Sequence, residues 1–211
     1  MRRQRRYRSA VGTNEKLWES GALKKEGRIC FHGRQRGNRE MEIREIRCED
    51  AEAFLEMKKQ LDRETEFMLY EPDERQTTLE EMRSQLKEAE QSERLAIFAV
   101  FDDERPVGFV ESHAGSLRRN RHRASLVIGL LQAYRGRGYG RALLERLEQW
   151  ARLKGIRRLE LTVMEHNRPA MFLYSRFGFS IEGMRKGSLC VNDELVNEFY
   201  MAKRLDGGFE K

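Results

Sequence analysis

The stretch from Leu126 to Ala151 constrains this 211-residue chain more than any other. An apolar run, Leu126 to Leu131, leads into Tyr134-Arg135-Gly136-Arg137-Gly138-Tyr139-Gly140-Arg141. Leu143, Leu147, Trp150 and Ala151 follow without a spacer, at the spacings of an amphipathic helix. Gly155 stands where a C-terminal cap belongs. The pattern predicts a strand, a glycine-rich bend and a helix in direct succession. Leu159, Leu161 and Val163 then alternate as the next strand, so the centre of the chain reads as a β-α-β unit. Ala124 to Leu131 is apolar enough to predict a strand buried on both faces.

The flanks read as hairpins and helices. Met41 to Arg47 predicts a short strand, and Asp50 is placed to cap a helix carrying Phe54, Met57 and Leu61. Glu64 to Arg75 contains Pro72 and reads as a loop whose Phe67 to Tyr70 cluster tucks against the domain. Thr78 and Glu81 form a capping-box pattern opening a second helix with Leu79, Met82, Leu86 and Ala89. Leu95 to Phe101 and Val107 to Ser112 predict a hairpin around Asp102 to Pro106. Asn167 and Pro169 start a helix facing inward with Ala170, Leu173 and Phe177. Phe179 to Lys186 and Leu195 to Arg204 close the chain as a strand pair around Asn192 and Asp193. This order predicts an α/β (α+β) fold: a mixed, mostly antiparallel six- to seven-stranded sheet with helices on both faces. The expected divisions are a domain over 41–205, a basic, disordered extension over 1–40 and a tail over 206–211.

Charge separates the extension from the domain. The isoelectric point of about 9.3 belongs to the first forty residues, which hold nine Arg and three Lys against four Glu. The remainder carries 29 basic and 31 acidic residues. A nearly balanced domain argues against nucleic acid as its partner, although Arg2, Arg3, Arg5, Arg6 and Arg8 could contact phosphates. Met41 opens what reads as a domain start, so translation from it is one account of the extension. No apolar run approaches the ~20 residues of a membrane span. Three cysteines without a Cys-x-x-Cys pair predict neither a disulfide framework nor a metal site, and they fit a cytoplasmic setting.

The glycine-rich bend carries the chemistry. Glycines let its N–H groups approach a ligand closely, and the helix start adds unpaired donors and partial positive charge. With Arg135, Arg137 and Arg141 these features suit a pyrophosphate or similar anion. A Walker A loop is excluded because no Gly-Lys-Ser/Thr occurs. A dinucleotide fingerprint fits poorly, because Arg141 takes the third glycine's place, although Glu160 lies near the distance of a ribose-binding acid. A bend without any ligand is the remaining structural alternative.

Arg135-Gly136-Arg137-Gly138-Tyr139-Gly140 resembles the Gln/Arg-x-x-Gly-x-Gly/Ala motif of the GNAT superfamily of N-acetyltransferases, and Arg141-Ala142-Leu143-Leu144 continues it. Asn167, Ala170 and Leu173-Tyr174-x-x-x-Gly178-Phe179 resemble that superfamily's second motif. The resemblance covers about residues 41–205. It implies the acyl-CoA N-acyltransferase fold, acetyl-CoA as co-substrate, no metal, and a small-molecule or peptide amine as acceptor. It also implies that the N–H groups of Arg135, Gly136, Arg137, Gly138, Tyr139, Gly140 and Arg141 hold the pyrophosphate. Leu130 and Leu131 would lie beside the pantetheine arm and thioester, with Asn167 on the pantetheine and Tyr174 near the sulfur.

Elementary chemistry adds requirements. An alkyl amine is mostly ammonium at neutral pH and must lose a proton before attack. Negative charge building on the acyl oxygen needs a donor, for which a strand N–H near Leu130 serves. A departing thiolate benefits from an acid, and Tyr174 is a suitable phenol. The strand position where many superfamily members carry a glutamate holds Ser125, so the base falls to Glu111, with His113 and His122 as weaker candidates and His166 as structural. Cys190 in a strand reads as a small core residue, which favours direct transfer in a ternary complex over an acetyl-cysteine route. Two other functions fit the same residues: a non-catalytic acetyl-CoA sensor, and a nucleic-acid binder acting through the arginine-rich arm. A homodimer is compatible with the sequence.

Overall fold

The computed structural model describes residues 29–31 and 41–205; the extension and the tail otherwise lie outside the described residues. The strands are β1 (Ile29–Phe31), β2 (Met41–Glu45), β3 (Leu95–Asp102), β4 (Arg105–Ala114), β5 (Arg123–Leu130), β6 (Arg158–Met164), β7 (Ser180–Val191) and β8 (Glu194–Arg204). The helices are α1 (Ala51–Glu64), α2 (Leu79–Gln91), α3 (Tyr139–Leu153) and α4 (Arg168–Arg176). One sheet takes the order β1-β2-β3-β4-β5-β6-β8-β7, antiparallel at every junction except β5–β6. The mixed sheet is as expected. Seven strands lie within 41–205, and Ile29–Phe31 of the extension adds an edge strand against β2.

Alternation along β4 separates the layers. Phe109 packs edge-on against Phe54 of α1 at 5.6 Å. Its neighbour Val110 lies opposite Phe98, over which Arg146 of α3 is stacked at 4.5 Å. Successive strand residues face opposite sides, so α1 and α3 cover opposite faces of the sheet. Leu143, Leu144 and Leu147 of α3 are fully buried, each worth roughly 1.5–3 kcal/mol of removed apolar surface. The capping box of α2 forms as its sequence predicts: Thr78 accepts from the Glu81 N–H, and the Glu81 carboxylate accepts from that of Thr78.

Several expectations need correction. Asp50 does not cap α1 with its side chain. Its carboxylate takes both terminal nitrogens of Arg44 at 2.7 and 2.8 Å and the Arg47 N–H at 2.8 Å, closing a short 3-10 turn instead. Strand β5 is not buried on both faces: Arg123, Ser125 and Val127 are exposed while Ala124 and Leu126 are buried. Of the Phe67–Tyr70 cluster, Met68 packs against the core while Leu69 is exposed. In α4 it is Tyr174 that is buried, with Ala170, Leu173 and Phe177 only partly so. Cys190 is exposed near the tip of the β7–β8 hairpin, where the left-handed Asn192 and Asp193 make the turn.

Candidate active site

Strands β5 and β6 share only three rungs, Arg123–Arg158, Ala124–Leu159 and Ser125–Glu160. Beyond them β5 continues to Leu130 paired with β4, and β6 to Met164 paired with β8. A wedge therefore opens in the middle of the sheet. Its apex is closed by Glu160, a buried carboxylate held between Arg123 and Arg158. Glu160 is thus a structural clamp, and the dinucleotide alternative loses its ribose-binding acid.

The wall formed by β5 offers backbone groups. Leu131 donates its N–H to Val107 at 3.0 Å, which makes the adjacent Leu130–Gly108 rung a non-hydrogen-bonded one. The N–H and C=O of Leu130 therefore turn away from β4, into the wedge. Leu131 offers no such group. Its N–H is spent, its C=O accepts from Tyr134, and its side chain is buried.

The bend closes the wide end of the wedge. Gly136 and Gly138 have φ of 72° and 89°, in the left-handed region where a side chain is costly, and a Cβ on either would meet open space. Gly138 is the N-cap of α3, and no side chain caps that helix. Among the described residues no acceptor is paired with the N–H of Gly138, Tyr139, Gly140 or Arg141. Four adjacent donors at the positive end of a fifteen-residue helix form an anion cradle. The arginines contribute unequally. Arg135 turns back to donate to the Leu130 carbonyl at 2.9 Å, Arg137 stacks over Tyr134, and Arg141 pairs with Glu145 on the exposed side of α3. The Tyr139 side chain is core, so only its N–H faces the cradle.

On the sheet face covered by α1, Lys58 meets Glu111 and His113 of β4, with 53 positions between Lys58 and Glu111. Glu111 accepts from Lys58 Nζ at 3.0 Å through Oε2 and meets His113 Nε2 at 2.8 Å through Oε1. Burial raises the Glu111 carboxyl's pKa, but the hydrogen bond from His113 and the charge and hydrogen bond of Lys58 outweigh it, holding the group at about 2. His113 is raised above the usual imidazole value, chiefly by its bond to Glu111. Lys58 Nζ also sits over the rings of Phe54 and Phe109 at 4.9 and 4.8 Å. The end of α1 and the segment after it reach both walls of the wedge. Glu64 accepts from the Gln132 N–H at 2.6 Å beside β5. Phe67 and Glu66 touch His166, beyond the end of β6, at 5.3 Å between rings and 3.6 Å from the Glu66 carboxylate to Nε2. His166 thus ties that segment down. His122 takes no part in the site; its carbonyl accepts the N–H groups of Arg157 and Arg158.

Asn167 and Tyr174 hold α4 against this region. Asn167 caps the helix, with its side-chain oxygen accepting from Ala170 at 3.2 Å, which leaves its NH2 as the polar end available to a ligand. Tyr174 packs on Phe179 at 5.8 Å between rings, and burial pushes its phenol pKa well up. Leu173 touches the position where Gly140 would carry a Cβ, so the missing side chain lets the start of α3 approach α4. A cleft of about 370 Å³ between Arg47, Ser92, Ile97, Arg146 and Trp150 lies at the other end of α3, away from the bend. No helix among the described residues is long and apolar enough to cross a membrane.

Residues 55–179 match the model of the acetyltransferase (GNAT) family. The chain belongs to this family. A GNAT acetyltransferase from Streptococcus pneumoniae, known by crystal structure, is 31% identical with a TM-score of 0.74, over 78% of this chain and 98% of that one. A phosphinothricin acetyltransferase of the superfamily from Sinorhizobium meliloti, solved in complex with acetyl-CoA, shares the fold at a TM-score of 0.69 and 19% identity, over 80% of this chain and 90% of that one. The L-amino acid N-acetyltransferase AaaT of Escherichia coli is 36% identical over 89 residues, 40% of this chain and 53% of the relative. The chain spans about half the length of the curated relatives it matches.

Proposed function

We propose that this GNAT chain transfers an acetyl group from acetyl-CoA to a primary amine by direct attack in a ternary complex. The carrying observation is the wedge between β5 and β6, which ends on four unpaired N–H groups at the start of α3. These donors and the open space above Gly136 and Gly138 fit a diphosphate, and the Leu130 N–H and the Asn167 amide fit the polar arm behind it. The S. meliloti relative with acetyl-CoA supports the choice of carrier. Acetyl-CoA supplies the activated acyl carbon and a thiolate leaving group.

The remaining roles belong to this chain. The Ile128 N–H, which alternation along β5 turns into the wedge like that of Leu130 but nearer the apex, stabilises negative charge building on the acyl oxygen. Tyr174 stays protonated throughout the neutral range and donates a hydrogen bond to the departing sulfur. Its raised pKa, set against an ordinary thiol near 8.5, makes complete proton transfer uphill, so the hydrogen bond is its main contribution. Glu111 and its partners lie on the face covered by α1, from which we place the approach of the amine. The last residue of α1, Glu64, and Glu66, Glu71 and Asp73 of the segment after it favour a cationic acceptor. The unpaired Cys48 and Cys190 suit the reducing cytoplasm in which we place the protein.

Saturating acetyl-CoA should raise the melting temperature, corresponding to about 2.7 kcal/mol at 100 times Kd. Thiol release should then depend on an added amine. Stabilisation without thiol release from any amine would mark a sensor; no stabilisation would overturn the reading.

A further inference from the structure

We propose that Nδ1 of His113 is the atom that takes the proton from the attacking amine, and that Glu111 positions the imidazole while Lys58 fixes Glu111. The assignment rests on the acetyl-transfer reading above.

Both oxygens of Glu111 are occupied, one by His113 and the other by Lys58. A carboxylate held at about 2 has little affinity for an ammonium proton at neutral pH. Glu111 is also recessed, with a side chain 22% exposed against 60% for His113. The contact to Glu111 uses Nε2, so the neutral ring carries its hydrogen there and leaves the Nδ1 lone pair as acceptor. The ring stands at a decisive place in the sheet. His113 is paired with Ser125, and Ser125 with Glu160, which is the last rung before β5 and β6 part. His113 therefore lies beside the apex of the wedge, on the face covered by α1. The strand position that holds Ser125 brings only a hydroxyl, and that hydroxyl leans on the His113 carbonyl.

The charged groups facing the ring are Glu111 on its own strand, Lys58 from α1 and Glu88 from α2. The two carboxylates favour the imidazolium and Lys58 opposes it. The proton balance is simple. The ammonium gives a proton to Nδ1, the amine nitrogen bonds to the acyl carbon, and the carbon–sulfur bond breaks with its electron pair on sulfur. The second amine proton neutralises the thiolate through solvent, and the imidazolium returns its proton to solvent, so one proton is released per turnover.

The test measures kcat against pH at saturating acetyl-CoA with L-leucine, spermidine and a short peptide with a free N-terminus as probes. His113→Gln should lower kcat by at least about 100-fold without changing the KM for acetyl-CoA. Glu111→Gln should move the acidic limb to lower pH, and Lys58→Met should move it higher. Added imidazole should restore part of the rate to His113→Ala. In nitrogen-15 spectra of labelled histidine, His113 should carry its hydrogen on Nε2, and its pKa should fall in Glu111→Gln. A wild-type protein that binds acetyl-CoA but releases no thiol with any probe overturns the acetyl-transfer reading, and this role with it. Normal turnover with a pH profile indifferent to His113→Gln, or a ring protonated on Nδ1 when neutral, overturns the role of His113 alone.

Discussion

The two ends of the wedge are built in different ways. At the bend, the working groups are backbone N–H donors at consecutive positions, exposed by Gly136 and Gly138 and aimed by the start of α3. At the apex, they are the side chains of Lys58, Glu111 and His113, brought together from α1 and β4. The first end depends on local conformation and the second on sheet register and helix packing. The bend is therefore rigidly specified but chemically generic, whereas the apex can set which amine reacts and at what pH.

If the apex is an electrostatic assembly, protonating it should cost stability. The Glu111 carboxyl lies below its ordinary value of 4.5, at about 2, so its ionised form stabilises the fold fully above that ordinary value. The contribution is lost as pH falls toward about 2, and it is on the order of 3 kcal/mol. Urea unfolding at stepped pH should show a shallower acid limb in Glu111→Gln than in the wild type. An unchanged limb would remove Glu111 from the assembly.

The bend makes the opposite prediction, loss of ligand without loss of fold. Gly138→Asp places a side chain at a φ of 89° and a negative charge in the anion cradle. Calorimetry should show acetyl-CoA affinity down roughly 100-fold, about 2.7 kcal/mol, with a cooperative unfolding transition retained. Affinity within a few-fold of wild type would mean that the cradle does not hold the carrier.

Tyr174 is the acid we propose for the departing sulfur. Tyr174→Phe removes one hydrogen bond to sulfur and should lower kcat about tenfold while leaving acetyl-CoA affinity intact. An unchanged kcat under conditions where chemistry limits the rate would remove it from the reaction. The smallest effect is expected at Glu64, whose carboxylate ties the end of α1 to Gln132 at 2.6 Å. Glu64→Ala should raise the acceptor KM roughly threefold and leave the KM for acetyl-CoA unchanged. Equal effects on both would show that this tie serves the whole wedge.

The same contrast explains what was legible in the sequence. Gly136, Gly138 and the helical stripe through Leu143 and Leu147 are contiguous, so one window held both the bend and its helix. The Thr78–Glu81 capping box is equally local, and it was legible too. Asp50 reads as a helix cap, but Arg44 and Arg47 lie just upstream and draw its carboxylate away from the helix start. The open face of β5 was hidden by composition: Val127 reads as core, yet it stands beside Glu111 on the α1 face and stays exposed there. Glu160 reads as a free acid until the sheet brings Arg123 to it from β5, two rungs before the Ser125–Glu160 pair. The Lys58–Glu111 pair spans 53 positions, and no periodicity links them. For His113 a signal did exist, since it stands two residues after Glu111 and shares its strand face. What the sequence did not carry was Lys58, whose ammonium takes the second oxygen of Glu111.

The most direct test is a crystal structure with acetyl-CoA bound. The diphosphate oxygens should lie about 3 Å from the N–H groups of Gly138 to Arg141, with the pantetheine arm running between β5 and β6 past Leu130. A diphosphate bound elsewhere, or a wedge closed by side chains with the carrier outside it, would contradict the account.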